Sequence, residues 1–137
     1  MRNSLKSTEG NYKMIFKVLI IDDDYINRRL LISILKKELY SIDVIESVDG
    51  GHALELCKEH NDIQLILLDV EMPRMDGAEF LKRYFKESSL AKVPIIAVSS
   101  NDLRIKEILN LGAGAFILKP VSEEKLLNAI LKTARAS

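Results

Sequence analysis

Gln64 to Gly77 read QLILLDVEMPRMDG, and this stretch decides the fold. Gln64 to Leu68 run almost without polar interruption until a carboxylate, Asp69, stands where the run stops. An aliphatic run of that length predicts a strand buried on both faces. Pro73 and the Asp76–Gly77 pair then supply turn chemistry, after which an amphipathic stretch begins. The order is strand, loop, helix. In an open α/β sheet, an acid at the carboxyl end of a strand stands where such folds place their ligands.

The same alternation extends to both sides. Upstream, Lys17 to Ile21 form a short aliphatic strand that ends in Asp22, Asp23 and Asp24. From Tyr25 to Tyr40 the apolar positions Ile26, Leu30, Leu31, Ile34 and Leu35 recur at helical spacing. Ile42 to Glu46 read as a second strand, Asp49-Gly50-Gly51 as a turn, and His52 to His60 as a helix with Ala53, Leu54, Leu56 and Cys57 inward. Downstream, Ala78 to Lys86 make a third helix through Phe80, Leu81, Tyr84 and Phe85, and Val93 to Ser99 a fourth strand. Leu103 to Leu111 predict a shorter helix, its Leu103, Ile105, Ile108 and Leu111 chiefly core, stopped by Gly112 and Gly114. Ala115 to Leu118 are a fifth strand ending at Lys119-Pro120, and Ser122 caps a last helix with Glu123 and Glu124 in its first turn.

Alternating strands and helices with short connections call for a parallel sheet covered on both faces by helices. Five such units are too few to close a barrel of eight, so the expected fold is an open, doubly wound α/β sheet with a crevice at the carboxyl ends of its strands. Residues 16–137 are expected to form this domain, and the polar, aperiodic residues 1–15 a loose tail.

Composition bounds the function. A chain of 137 residues that is 47% hydrophobic can bury the core of one domain. Its 20 basic and 20 acidic residues cancel, which argues against nucleic-acid binding by this chain alone and against a membrane-surface patch. No apolar run approaches the roughly 20 residues that span a bilayer. A lone Cys57 agrees with a reducing compartment, so the expectation is a cytoplasmic protein.

The strands deliver a set of groups to one edge: Asp22 and Asp23, Asp69, Ser99 with Ser100, and Lys119. Clustered carboxylates repel one another and call for protonation or a cation. Oxygen ligands of this kind suit Mg²⁺, and with a lysine and a hydroxyl beside them the remaining positions fit a phosphoryl group. A carboxylate can itself be the nucleophile that receives it.

On these residues the chain resembles the receiver domains of bacterial two-component response regulators, the CheY-like family. The resemblance covers roughly Lys17 to Lys132 and rests on an ordered set of motifs: IIDD at Ile20 to Asp23, LLDVEMPRMDG at Leu67 to Gly77, IIAVSS at Ile95 to Ser100, and LKP at Leu118 to Pro120. It implies a flavodoxin-like strand order 2-1-3-4-5 and a phosphoacceptor at Asp69. It further implies Mg²⁺ held by Asp22, Asp23, Asp69 and the backbone carbonyl of Glu71. Ser99 would bond a phosphoryl oxygen, Lys119 would pair with the phosphoryl group, and the bond to Pro120 would be cis. Ser99 and Phe116 match the switch positions, Phe116 where Tyr is common. Glu71 and Asn101 fall where the family tunes phosphoryl lifetime. The implied partners are a histidine kinase or histidine phosphotransfer protein and a downstream protein target, reached through the face of the fourth helix, fifth strand and fifth helix. No diffusible substrate is turned over, so the chain is not expected to be an enzyme.

Simpler and rival readings stand beside this one. Asp69 alone would be a helix cap, Asp24 a solvated cap, Ser99 and Ser100 loop hydroxyls, and Lys119 an exposed lysine. His52 and His60 read as solvated and Cys57 as core filler. Asp22-x-Asp24 after a strand is also similar to haloacid-dehalogenase-type phosphatases, with Asp22 as nucleophile, but Ile26 departs from that pattern. A degenerate receiver acting only as an interaction module is the third reading. The residues after the last helix leave no room for an effector, so either a stand-alone receiver or a piece of a longer regulator or hybrid kinase is expected.

Overall fold

A computed structural model describes residues 16–39 and 41–136. Five strands alternate with five helices: β1 Phe16–Ile21, α1 Tyr25–Glu38, β2 Ile42–Ser47, α2 Gly50–Glu59, β3 Leu65–Asp69, α3 Gly77–Lys86, β4 Ile95–Ser99, α4 Ile105–Asn110, β5 Ala115–Leu118 and α5 Glu123–Ala136. All strands are parallel, in the order β2-β1-β3-β4-β5, which is the flavodoxin-like order expected. The tail expected at residues 1–15 lies outside the described residues.

The pleat explains the layering. Successive strand residues point to opposite faces. Leu19, Ile21, Ile66, Leu68, Ile95 and Ala97 therefore pack with α2, α3 and α4. Val18, Ile20, Leu65, Leu67, Ile96 and Val98 pack with α1 and α5 on the other side. β3 and β4 are buried along their whole length. That double burial is why they read as unbroken aliphatic runs. Within this core, truncating a side chain such as Phe80 or Leu68 would cost about 3–5 kcal/mol.

Local chemistry sets the element boundaries. Asp24 starts α1 by accepting the N–H of Ile26, Asp49 starts α2 from His52, and Asp76 starts α3 from Glu79. The reading of Asp24 as a cap stands, whereas Asp69 caps nothing: it closes β3, and Asp76 caps the helix that follows. Ser122 accepts the N–H of Lys125, as expected of the cap of α5. β4 begins two residues later than its apolar run, because the N–H of Val93 bonds the Tyr84 hydroxyl at 2.9 Å and does not join the ladder.

Four apolar positions depart from expectation, among them Phe85 of α3, which is exposed. Ile26 and Leu30 are 69% and 45% exposed. The buried face of α1 is instead Leu31, Ile32, Ile34 and Leu35. At about 100° per residue, Ile26 and Leu30 both fall outside the arc of that buried face and turn away from the sheet. Leu103 is 87% exposed, since it sits in a 3-10 turn, Asp102–Arg104, that precedes α4 and projects from the sheet.

Candidate functional site

Register brings the acids together. Ile21 of β1 pairs with Leu68 of β3, so the next residues, Asp22 and Asp69, stand level at the carboxyl edge. Ser99 of β4 pairs with Leu118 of β5, and the N–H of Lys119 bonds the carbonyl of Ser99 at 2.9 Å. Lys119 is thereby set beside the acids, its peptide bond to Pro120 cis as expected. Its ammonium lies 3.4 Å from Asp69 Oδ1. Asp22, Asp23 and Asp69 each offer a carboxylate oxygen within 4.8 Å of the others.

The loop after Asp69 is fixed by close packing at Gly77. Its N–H bonds the carbonyl of Val70 at 2.8 Å. A Cβ there would come within 2.8 Å of the Val70 Cα and 3.3 Å of the Asp69 carbonyl oxygen. Glycine is required by approach, and the start of α3 is pinned against the end of β3.

Electrostatics make the cluster demanding. Burial first, then the Asp22 carboxylate, push the Asp69 carboxyl from 3.8 up to about 7, with Lys119 pulling the other way. Burial likewise raises Asp22, against which the N–H of Asp24 and the Lys119 charge act. Asp22 and Asp69 are buried and Asp23 is open to solvent. Two desolvated acids and a third at the rim form an oxygen donor set suited to a hard divalent cation, with an open side left for solvent or ligand. The donor set thus fits Mg²⁺.

Ser99 is fully buried at the base of this crevice, and Ser100 is exposed beside it. The Ser99 hydroxyl donates to Glu71 Oε2 at 2.5 Å and accepts the N–H of Asn101 at 3.0 Å. The other carboxylate oxygen of Glu71 accepts the N–H of Ser100 at 3.2 Å. Phe116, on β5, is partly buried against the α2–α3–α4 side of the core.

Two groups escaped the sequence reading. The carboxylate of Glu71 engages Ser99 and Ser100, a contact that was not foreseen although the position was expected to tune phosphoryl lifetime. Asp76 pairs with Arg104 at 3.1 Å, tying the start of α3 to the segment before α4. The Asp-Gly pair signalled a turn, but its long-range partner left no local trace.

The histidines and the cysteine stay apart from this crevice. His52 is exposed, His60 is partly covered, and Cys57 is a partly buried thiol packed on the core, which burial raises to about 11. No helix of the described residues is long and apolar enough to cross a membrane.

Comparison with known proteins agrees with this geometry. The response regulator receiver domain family matches residues 18–131. Among curated relatives, the two-component response regulator ORR11 of Oryza sativa subsp. indica is 35% identical over 106 residues, covering 76% of this chain and 71% of that protein. ORR5 of Oryza sativa subsp. japonica is also 35% identical, covering 76% and 78%. Among solved structures, the CheX–CheY–BeF3–Mg²⁺ complex from Borrelia burgdorferi superposes with a TM-score of 0.75 at 30% identity, covering 85% of this chain and 87% of that one. The signal receiver domain of the response regulator NarL from Mycobacterium tuberculosis gives 0.77 at 29% identity, covering 91% and 100%.

Proposed function

The chain belongs to the response regulator receiver family of two-component signalling, and from that premise we propose that it is a phosphorylation-controlled switch whose phosphoacceptor is Asp69. The observation that carries this is the meeting of Asp69, Asp22, Asp23 and Lys119 at one strand edge, with a cation 3.4 Å from the carboxylate that would react.

The donor is a histidine kinase or histidine phosphotransfer protein. An Asp69 oxygen attacks the phosphorus of the phosphohistidine. The P–N bond breaks, the imidazole nitrogen takes a proton, and a mixed acyl phosphate forms on Asp69. Only the ionised carboxylate is a nucleophile, so a site that pushes Asp69 up to about 7 needs positive charge to hold it ready. Lys119 supplies one charge and afterwards pairs with a phosphoryl oxygen. Asp22, Asp23, Asp69 and the Glu71 carbonyl would hold Mg²⁺, which supplies charge neutralisation to the transferring group. That the similar CheY of Borrelia burgdorferi is found in a complex with CheX, BeF3 and Mg²⁺ supports this reading.

Ser99 then donates its hydroxyl to a phosphoryl oxygen, and Phe116 repacks. The face built by α4, β5 and α5 shifts between two packings, which alters the affinity of a downstream protein partner. The compartment that fits is the cytoplasm. The chain's product is its own modified state, which distinguishes it from an enzyme that turns over a diffusible substrate.

Intact-mass spectrometry after incubation with Mg²⁺ and acetyl phosphate tests this. One acid-stable, base-labile phosphoryl group, lost in Asp69→Asn and dependent on Mg²⁺, is the expected result. A group that persists in Asp69→Asn and disappears in Asp22→Asn would support the phosphatase reading. No gain at all would support the interaction module.

A further inference from the structure

The Ser99 hydroxyl is committed before any phosphoryl group arrives. It carries one proton, and its lone pairs face the N–H of Asn101 at 3.0 Å. The proton is directed to Glu71 Oε2, and Glu71 Oε1 takes the N–H of Ser100. A carboxylate from the β3–α3 loop therefore occupies two neighbouring donors of the β4–α4 segment. A hydroxyl proton serves one strong acceptor at a time. A phosphoryl oxygen on Asp69 and the carboxylate of Glu71 would compete for the same donor.

We propose that Glu71 is an internal competitor of the phosphoryl group: in the unmodified chain its carboxylate holds Ser99 and Ser100, and it must let go before the switch can form. This rests on the reading of Asp69 as phosphoacceptor and goes beyond it, since Glu71 acts through its side chain on a donor and touches no reacting atom. It is a positioning residue. Glu71 is exposed, so the released carboxylate can turn to water without leaving a buried charge unpaired. Release also frees the N–H of Ser100, at the head of the segment that runs to Arg104, where the ion pair with Asp76 ties it to α3. The latch thus couples the fate of one hydroxyl to the mobility of the segment leading into α4.

The consequence is quantitative. If the hydroxyl is free in only a fraction of molecules, the apparent affinity for a phosphoryl mimic falls by that fraction. A latch closed in roughly nine-tenths of molecules weakens binding about tenfold.

The test is calorimetric titration of the full chain with beryllofluoride in Mg²⁺. Five proteins are compared: wild type, Glu71→Ala, Ser99→Ala, the double variant of these two, and Asp69→Asn. Glu71→Ala keeps the backbone carbonyl and removes the carboxylate. Beryllofluoride is expected to bind it about five- to tenfold more tightly than wild type, with the gain shrinking to about twofold or less when Ser99 is already Ala. Simple repulsion between Glu71 and the bound anion predicts an equal gain in both backgrounds, and that result overturns the proposal. So does wild-type affinity in Glu71→Ala. If wild type binds no beryllofluoride, or binds it equally well as Asp69→Asn, the phosphoacceptor reading falls and the latch falls with it. The two failures are thereby told apart.

Discussion

Lys119 Nζ lies 3.4 Å from Asp69 Oδ1, joining the end of β5 to the end of β3 across the intervening strand β4. The pair is asymmetric in its surroundings: Asp69 is buried while Lys119 keeps partial access to solvent. The lysine thus brings charge to the acid without itself being fully desolvated, which is the cheaper arrangement for a site proposed to admit an anion.

Lys119→Met should therefore damage phosphorylation more than folding. Without the cation, Asp69 moves further above its ordinary range and less of it is ionised at neutral pH. A lost charge-assisted contact of about 1.5–3 kcal/mol corresponds to roughly a 10- to 100-fold slower transfer. Time courses of intact mass with acetyl phosphate at fixed Mg²⁺ measure it. A rate within twofold of wild type would remove Lys119 from the site.

Asp69→Asn should stabilise the metal-free fold at high pH. Burial and Asp22 raise the folded-state carboxyl to about 7 from 3.8, so the proton is bound more tightly in the folded chain. The corresponding stability is fully present below about 4 and is lost as pH rises through about 7. At about 1.4 kcal/mol per pKa unit the ionised acid costs at most roughly 4 kcal/mol. Urea unfolding in EDTA should show the variant about 1–3 kcal/mol more stable at pH 8, with the advantage closing toward pH 4. An advantage independent of pH would mean that the acid is not strained by its surroundings.

Asp76 has two separable jobs. Oδ1 caps α3 through Glu79 N–H at 3.0 Å, and Oδ2 pairs with Arg104. Asp76→Asn keeps the cap and loses the ion pair, a partly exposed one, for a cost of about 0.2–1 kcal/mol. Asp76→Ala loses both and should cost about 1 kcal/mol more. Equal urea midpoints for the two variants would show that the cap contributes nothing.

The sheet, its helices and the acid–lysine set were legible because each follows from local pattern. Aliphatic runs of strand length, turn residues between them and a polar residue at each strand end suffice to place Asp22, Asp69, Ser99 and Lys119 on one edge. The exposure of Ile26, Leu30 and Leu103 was not legible, since apolar positions spread over a wide arc do not show which part of it meets the sheet, and Leu103 falls in a 3-10 turn outside the helix. Nor was the contact of Glu71 with Ser99, 28 positions away in sequence. It depends on how two loops meet, which no periodicity records.

The acids should also report their cation directly through stability. Asp22, Asp23 and Asp69 hold oxygens within 4.8 Å of one another, and Asp23 is the exposed member, so Asp23→Ala removes a ligand without opening the core. A cation bound by the folded chain in preference to the unfolded one would add roughly 2.7 kcal/mol at about one hundred times its Kd. Thermal unfolding of wild type should therefore move up by several degrees in Mg²⁺, and that of Asp23→Ala by much less. The rise should be larger at pH 8 than at pH 5.5, because the cation must displace the proton that burial holds on Asp69. A rise that is the same in both proteins, or is matched by K⁺ at equal ionic strength, would assign the effect to general screening and leave the acid cluster without a metal.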